Sequence, residues 1–191
     1  ATMMTKDEIL DAAAQIFRIK GYHATSMNDI AGAVNLQKAS LYHHVASKQE
    51  ILFELLNQAL ALLTEHIANL IRDTTLSADQ KLRLMIHSYL KALTDHMDLT
   101  SVLLMEHRSL EPQFQARHIP NRDRFEALWR EVVDEGMQSG VFSCSEIALT
   151  ARNLLGAMNW TITWFDPKGE LGIEDIADQI ADLFLEGLRG R

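Results

Sequence analysis

Residues 25–48, TSMNDIAGAVNLQKASLYHHVASK, constrain the fold of this chain more than any other segment. A Ser or Thr at their start can cap a short helix over residues 27–34, whose apolar positions recur at helical spacing. Asn35 follows, where a tight turn needs a positive φ that Asn tolerates better than any residue except Gly. A second short helix is predicted over residues 37–45. The segment therefore predicts a helix-turn-helix, a motif whose second helix enters the major groove of DNA.

The second of these helices carries the side chains that a DNA-reading helix needs. Gln37 can bond two atoms of an adenine, Ser40 can donate to or accept from either base type, and the Ala39 methyl group can contact thymine. Side chains that can hold phosphates without reading sequence are Lys38, Tyr42, His44 and Lys48. Backbone N–H groups suited to a further phosphate are predicted at Thr25, Ser26 and Met27. These ten residues are the predicted DNA contacts.

The charge of the chain is divided unevenly along its length. The net charge is −8, yet the first 50 residues carry five basic and five acidic side chains. No acidic residue lies between Asp29 and Glu50, so the reading helix is free of negative charge. We therefore expect a neutral-to-basic DNA-binding part on an acidic body.

Composition indicates a soluble, helical, cytoplasmic protein without a membrane partner. Among 191 residues there are only 3 Pro and 9 Gly, and 47% of the residues are hydrophobic. The first residues, ATMMTKDE, lack the basic segment and apolar core of a secretion signal, and no apolar run of about 18 residues is evident. The single cysteine, Cys144, cannot form an internal disulfide, which favours a reducing compartment.

Capping boxes and apolar periodicity predict an all-α fold. Capping boxes at residues 5–8, 47–50 and 77–80 each open a helix, the second of which is expected to extend to about Arg72. Further helices are expected over 100–110, 121–139, from about 146 to before 166, and over 173–188. We predict a three-helix DNA-binding domain over residues 1–48 and a helical effector-binding and dimerisation domain over residues 49–191.

The N-terminal quarter resembles a known family. The segments ILDAAAQIFRIKGYHATSMNDIA and LYHHVASKQEIL are similar, in order and spacing, to the N-terminal domain of the TetR family of bacterial transcriptional regulators. This chain has Asn35 where the family usually has Gly, Val45 where Phe is usual, and Gln37 and Ala39 at base-reading positions where Ser and Gly are common. The resemblance implies a homodimer on a roughly palindromic operator, acting as a ligand-controlled repressor, but it implies no operator sequence.

The acidic body is expected to hold the effector and the dimer interface. An apolar pocket is predicted between the helices over 82–93, 100–110 and 121–139, lined by Met85, Tyr89, Met105, Phe125, Trp129 and Met137. Dimerisation is expected through two apolar stripes, which comprise Ile147, Ala151, Leu154, Leu155, Met158 and Ile162, and Ile176, Ile180, Leu183, Phe184 and Leu188. In both cases the alternative is that the side chains simply fill the core of the subunit.

A second, more limited resemblance concerns the effector. Segments 121–142 and 156–171, the latter reading GAMNWTITWFDPKGEL, are similar to TetR-family members that respond to acyl-CoA thioesters. This resemblance implies that Arg108 or Arg122, or the neighbouring Arg124, meets the anionic CoA phosphates. It also implies that the ligand is contacted by Asn159, Trp160 and Trp164. The alternative is that the two tryptophans pack at the dimer seam and that the arginines pair with Asp123 and Glu126.

Other classes of function have less support in the sequence. No nucleophile elbow, P-loop or dinucleotide-binding fingerprint appears, so we expect no enzyme activity and no cofactor. The histidines of the body lie on different helices at no ligand spacing, so no metal site is predicted. An all-helical adaptor that binds proteins through its acidic body is the main alternative, with an enzyme the less favoured one. Neither accounts for polar side chains at positions 37 and 40.

Overall fold

The structure is a computed structural model that describes residues 4–189. Residues 1–3, at the start of the segment interpreted as lacking a secretion signal, and residues 190–191 lie outside the described part. The helices are α1 (Lys6–Lys20), α2 (Met27–Ala33), α3 (Lys38–Leu41), α4 (Lys48–Arg72), α5 (Ala78–Asp95), α6 (Met97–Glu106), α7 (Pro112–Gln138), α8 (Ile147–Trp160) and α9 (Ile173–Leu188), with 3₁₀ turns at His107–Ser109 and Thr161–Thr163. Within residues 4–189 the only β pairing is an isolated bridge between Phe142 and Arg189. The prediction of an all-α fold is confirmed.

The chain divides into two compact units. The first unit contains the chain up to Ala61 together with His96–Asn121, and the second contains Leu62–Asp95 with the chain from Arg122 onward. The predicted domain boundary at residues 48 and 49 falls within the first unit, which includes the start of α4 and all of α6. We keep the two-domain division as a prediction, and describe each unit separately.

Capping interactions start the helices of the first unit where the sequence predicts them. At α1 the Thr5 hydroxyl accepts from the Glu8 N–H (3.2 Å), and the Glu8 carboxylate accepts from the Thr5 N–H (2.7 Å). The bond from the Thr5 N–H, together with a second from the Thr5 hydroxyl to the same carboxylate (3.1 Å), holds the pKa of Glu8 below its usual value. At α4 the Ser47 hydroxyl accepts from the Glu50 N–H, but the Glu50 carboxylate accepts from the N–H of Ala46 instead of Ser47. The capping box predicted at the start of α4 therefore has only one of its two hydrogen bonds, the one to the Ser47 hydroxyl.

Two helix boundaries, the start of α7 and the end of α3, differ from the predicted ones. Pro112, which lies between the helices predicted over 100–110 and 121–139, is the first residue of α7, where its missing N–H removes no helical hydrogen bond. The same helix continues through Pro120, so α7 begins nine residues earlier than the predicted Asn121. In contrast α3 is shorter than predicted and ends at Leu41, because the following turn closes with i to i−3 bonds at His43 and His44.

The apolar side of α1 forms the core of the first unit. The side chains that it buries are Ile9, Leu10, Ala13, Ala14 and Phe17, whereas Ala12 and Ile16 are only half-buried. They pack with the buried face of α2, which comprises Met27, Ile30 and Ala31. The helix predicted from the capping box at residues 5–8 is therefore present, with one buried face.

Helix α4 is long and apolar enough, by length and composition alone, to cross a membrane. Half of its most apolar stretch is nevertheless buried inside the protein. Core helices of soluble proteins meet the same two criteria, so the apolar side of α4 is explained by its packing.

Candidate nucleic-acid interface

Two buried side chains fix α3 to the first unit. Leu41 is fully buried, and Val45, one turn later, is almost fully buried. The Leu41 carbonyl accepts hydrogen bonds from the N–H groups of both His44 (2.9 Å) and Val45 (3.2 Å), which closes the end of the short helix. Because Leu41 and Val45 anchor the inner side of α3, its remaining side chains lie on the outer side.

The outer side of α3 carries the predicted DNA-reading residues. Gln37, Lys38 and Ala39 are exposed. Tyr42 is 46% exposed, whereas Ser40 and His44 are half-buried. Within residues 4–189 the polar side chains among these six form no hydrogen bond or ion pair with the rest of the protein. They are therefore available to an external partner, and they lie together on one short element.

The turn before α3 has the backbone conformation that the sequence predicts. Asn35 has φ of 55° and is the only non-glycine residue in the described part of the chain with a positive φ. The turn is closed by the Leu36 N–H, which donates to the Ala31 carbonyl (2.9 Å). The prediction of a positive φ at Asn35 is confirmed.

This turn gives a first testable prediction. Asn35→Ala should lower the free energy of unfolding by about 1 kcal/mol, because a side chain beyond Gly or Asn is strained at positive φ. For a chain of this size that corresponds to a fall in Tm of about 2–4 °C. Asn35→Gly, the matched control, should leave Tm nearly unchanged. Thermal melting followed by circular dichroism checks this, and equal melting of the Ala and Gly variants would contradict it.

The start of α2 differs from the phosphate site that was predicted there. Thr25 is buried, its hydroxyl donates to the Gly21 carbonyl (2.7 Å), and its N–H donates to the Tyr22 carbonyl (3.2 Å). The Ser26 N–H and hydroxyl both donate to the Asp29 carboxylate, at 2.7 and 2.8 Å. The side chain of Met27 is buried in the core. Thr25 and Ser26 therefore use their donors inside the protein, Thr25 in the loop before α2 and Ser26 in the capping box with Asp29.

The same capping box places a negative charge at the start of α2. Asp29 accepts hydrogen bonds from the Ser26 N–H and from the Lys20 ammonium group (2.9 Å), and these lower the pKa of Asp29 far below its usual value. Asp29 therefore remains ionised at neutral pH. An ionised carboxylate disfavours a phosphate at the same N–H groups, so α3 carries more of the predicted interface than α2 does.

Lys48 has an internal role that the sequence did not predict. Its ammonium group donates to the carbonyls of Tyr22 (3.0 Å) and Thr25 (2.8 Å), and it lies 4.3 Å from the centre of the Tyr22 ring. Two of its three N–H bonds are therefore directed into the protein. Lys48 ties the start of α4 to the loop between α1 and α2, and its predicted phosphate contact is left to the remaining N–H.

Two further residues position the reading elements, and the sequence analysis missed both. The Gln49 amide nitrogen donates to the Tyr22 hydroxyl (2.8 Å) and the Ser109 carbonyl (2.9 Å), and its amide oxygen accepts from the Glu111 N–H (2.9 Å). Glu106 accepts from the Tyr22 N–H at 3.1 Å. These bonds join the loop after α1, the start of α4 and the segment after α6. The one available signal was Glu106, the only acid in the last seven residues of an apolar helix.

In the second unit, five of the predicted effector residues lie in one cluster, with Met85, Tyr89, Phe125 and Trp129 buried and Asn159 half-buried. The Tyr89 hydroxyl donates to the Asn159 side-chain oxygen at 2.6 Å. The Tyr89 ring stacks on Phe125, with ring centres 5.9 Å apart, and meets the edge of Trp129 at 5.3 Å. Met85 is buried one turn before Tyr89 on α5. Burial raises the pKa of Tyr89 well above its usual value, so its hydroxyl remains a hydrogen-bond donor at neutral pH.

The other predicted effector residues lie outside this cluster. Met105, Trp160 and Trp164 are each at least half exposed. Arg108 is exposed in the 3₁₀ turn after α6. Arg122 forms an ion pair with its neighbour Asp123 (2.9 Å), as the alternative interpretation expected, whereas Glu126 pairs with Arg152. Sequence spacing placed the two tryptophans on one face, but that face is an exposed one.

Comparison with known proteins agrees with the geometry. A family model described as bacterial regulatory proteins of the tetR family matches residues 9–55, and one for the C-terminal domain of tetracyclin repressor-like proteins matches residues 75–188. The HTH-type transcriptional repressor KstR2 of Mycobacterium tuberculosis H37Rv is 26% identical over 185 residues, which cover 96% of this chain and 92% of that protein.

Two solved structures are similar over nearly the whole chain. The TetR family transcriptional regulator PfmR from Thermus thermophilus has 35% sequence identity and a TM-score of 0.87, covering 96% of this chain and 100% of that one. AibR, in complex with isovaleryl coenzyme A and operator DNA, has 27% identity and a TM-score of 0.84, covering 96% and 97% of the two chains. This chain therefore belongs to the TetR family of bacterial regulators and is a DNA-binding transcriptional repressor, not an enzyme.

Proposed function

We propose that this repressor acts as a cytoplasmic homodimer on a roughly palindromic operator and that an acyl-CoA thioester releases it. The observation that carries the DNA-binding part is the outer side of α3, where the side chains of Gln37, Lys38 and Tyr42 have no partner within the described protein. Gln37 and Ser40 read bases, and Ala39 contacts a thymine methyl group. Lys38, Tyr42 and His44 hold phosphates.

The acyl-CoA part of the proposal rests on the buried cluster and on one relative. Tyr89, Phe125, Trp129 and Met85 offer an apolar surface with one polar pair, as expected for a site that binds an apolar chain bearing a polar group. AibR, which is similar over nearly the whole chain, was crystallised with isovaleryl coenzyme A and operator DNA. Arg108 and Arg122 remain proposed contacts for the CoA phosphates.

Two exposed stripes on the second unit support the homodimer. The predicted α8 stripe is largely buried within the chain, including Leu154 and Met158, whereas the predicted α9 stripe is divided: Ile176 and Leu188 are buried, Leu183 is exposed, and Ile180 and Phe184 are half-buried. The opposite side of α8 is exposed and carries Leu149, Asn153, Gly156 and Trp160, and the outer side of α9 carries Ile180, Leu183, Phe184 and Gly187. Asn153, Leu183 and Phe184 also line a shallow groove of about 390 Å³ on this side. Exposed apolar surface of this kind marks protein–protein contact sites.

The dimer proposal gives a second prediction. Leu183, 68% exposed, contributes little to the core, so Leu183→Glu should fold normally. In a two-fold interface the variant brings two carboxylates into an apolar seam, which should raise the dimer dissociation constant about 100-fold or more. Light scattering after gel filtration measures the mass. Ile19→Glu, at a position 86% exposed in the first unit, is the matched control and should remain dimeric. A dimeric Leu183→Glu variant would contradict this seam.

A combined DNA and ligand titration tests the proposed function as a whole. The protein should protect a palindromic site in its own promoter region, and a long-chain acyl-CoA should release it. Coupling of about 1–3 kcal/mol would weaken operator binding about 5–150-fold. Free CoA is the control and should not release DNA. Absence of any palindromic footprint at low salt would contradict the DNA part. Acyl-CoAs that neither bind in calorimetry nor release DNA would contradict the effector part.

A further inference from the structure

Three polar side-chain atoms of the second unit are buried without a hydrogen-bond partner, and one of them belongs to the aromatic cluster. In the described part of the chain these atoms are Nε1 of Trp129, Nε of Arg130 and Oγ1 of Thr161. Trp129 belongs to the cluster, because its ring packs against Tyr89 at 5.3 Å. Arg130 follows it on α7, and Thr161 lies two residues after Asn159, the hydrogen-bond partner of Tyr89. Trp129 and Thr161 are both fully buried.

All three atoms can donate hydrogen bonds. The indole and guanidinium nitrogens can only donate hydrogen bonds, and a threonine hydroxyl can donate as well as accept. The Asn159 oxygen already accepts from Tyr89, so that the amide group of Asn159 is left with donors. The unused polar groups at the cluster are therefore donors or can act as donors. Around them, Met85 and Phe125 are buried and apolar.

An unsatisfied buried donor destabilises the ligand-free protein, because it has lost its water without gaining another acceptor. A ligand oxygen that reaches such a donor removes this penalty only in the bound state. It therefore supplies the differential affinity through which a ligand shifts a conformational equilibrium. A purely hydrocarbon ligand would bury the same donors and leave the penalty in place.

We propose that this cluster recognises the carbonyl oxygen of an acyl group, which accepts hydrogen bonds from the Trp129 indole N–H and the Thr161 hydroxyl. The apolar side chains around them hold the acyl chain. The inference rests on the proposed function, since it concerns the same effector. It goes further by assigning the atoms that read the acyl group, which can come from a thioester or from a free carboxylate.

Small matched probes test this without CoA. The full chain, labelled with ¹⁵N, contains three tryptophans, and loss of one indole signal in Trp129→Phe assigns the Trp129 N–H. S-methyl hexanethioate should shift that signal, whereas methyl hexyl sulfide, which has the same skeleton without the oxygen, should not. Hexanoate distinguishes the free carboxylate from the thioester. Equal shifts with the thioester and the sulfide, or no shift with either acyl probe, would overturn the inference.

Binding measurements with CoA derivatives separate this inference from the proposed function. An acyl-CoA should bind about ten-fold or more tightly than the S-alkyl-CoA of equal length, and Trp129→Phe and Thr161→Val should each reduce that ratio. Thr161→Val nearly preserves shape and serves if the tryptophan variant folds poorly, and Trp160→Phe is the exposed control. Equal binding of the two CoA compounds would overturn the acyl-recognition inference alone. If the indole responds to acyl probes but no CoA compound binds, the acyl-CoA effector fails and the acyl-recognition site stands.

Discussion

Gln37→Ala is expected to remove most of the sequence specificity of this repressor while leaving its non-specific DNA affinity almost unchanged. A bidentate contact between an amide side chain and adenine is worth about 1–3 kcal/mol of discrimination. Because the proposed dimer would make this contact in two half-sites, operator affinity should fall by about 2–6 kcal/mol, or at least about 30-fold. Fluorescence anisotropy with operator and scrambled duplexes at several salt concentrations measures both affinities.

Two neighbouring variants make the test of Gln37 selective. Lys38→Ala should weaken operator and scrambled DNA alike, and should reduce the salt dependence of binding by about one unit per half-site, because it removes a phosphate contact. His43→Ala removes an exposed side chain that is not among the predicted DNA contacts, so it should change neither affinity. If Gln37→Ala instead weakens both duplexes equally, Gln37 is a phosphate contact and another residue reads the operator.

Local sequence signals predicted the elements of the DNA-binding part well. Capping residues and a positive φ at Asn35 depend on neighbours three or four positions away, which a sequence displays directly. The boundaries of α3 and α7 were less predictable. Pro112 has the same signal in a loop as in the first turn of a helix, and only its neighbours in space distinguish the two.

The candidate sites were harder to predict because they depend on contacts between distant segments. Lys48 was correctly placed near the reading helix, but its bonds to the carbonyls of Tyr22 and Thr25 depend on how α1 and α4 pack. Gln49 was predicted only as part of the capping box at residues 47–50, yet its side chain joins the start of α4 to the loop after α1 and to the segment after α6. Trp160 and Trp164 were expected to line a pocket, but aromatic spacing does not distinguish a buried face from an exposed one.

A partly buried ion pair in the second unit contacts the end of α4. The Lys81 side chain is 6% exposed, and its ammonium group donates to the Ile71 carbonyl (3.0 Å) and to both carboxylate oxygens of Glu135 (2.9 and 2.8 Å). All three of its donors are thereby used. The pair joins the end of α4 to α5 and α7, while the Glu135 side chain is 40% exposed and can reach water.

Because Lys81 is buried and Glu135 is partly exposed, removing Glu135 should destabilise the protein more than removing Lys81. Glu135→Ala leaves the buried Lys81 ammonium uncompensated and should lower the free energy of unfolding by about 3–5 kcal/mol. Lys81→Met keeps the apolar stem and leaves a carboxylate that can turn to solvent. This variant should therefore lower the free energy of unfolding by only about 1–2 kcal/mol. The double variant should lose less than the sum, since the uncompensated charge is then absent. Urea unfolding at one protein concentration measures all three, with Lys91→Met, which breaks an exposed pair with Asp95, as the control. A Glu135→Ala variant no less stable than Lys81→Met would show that the ammonium finds water or another acceptor, and that the pair does not hold the end of α4.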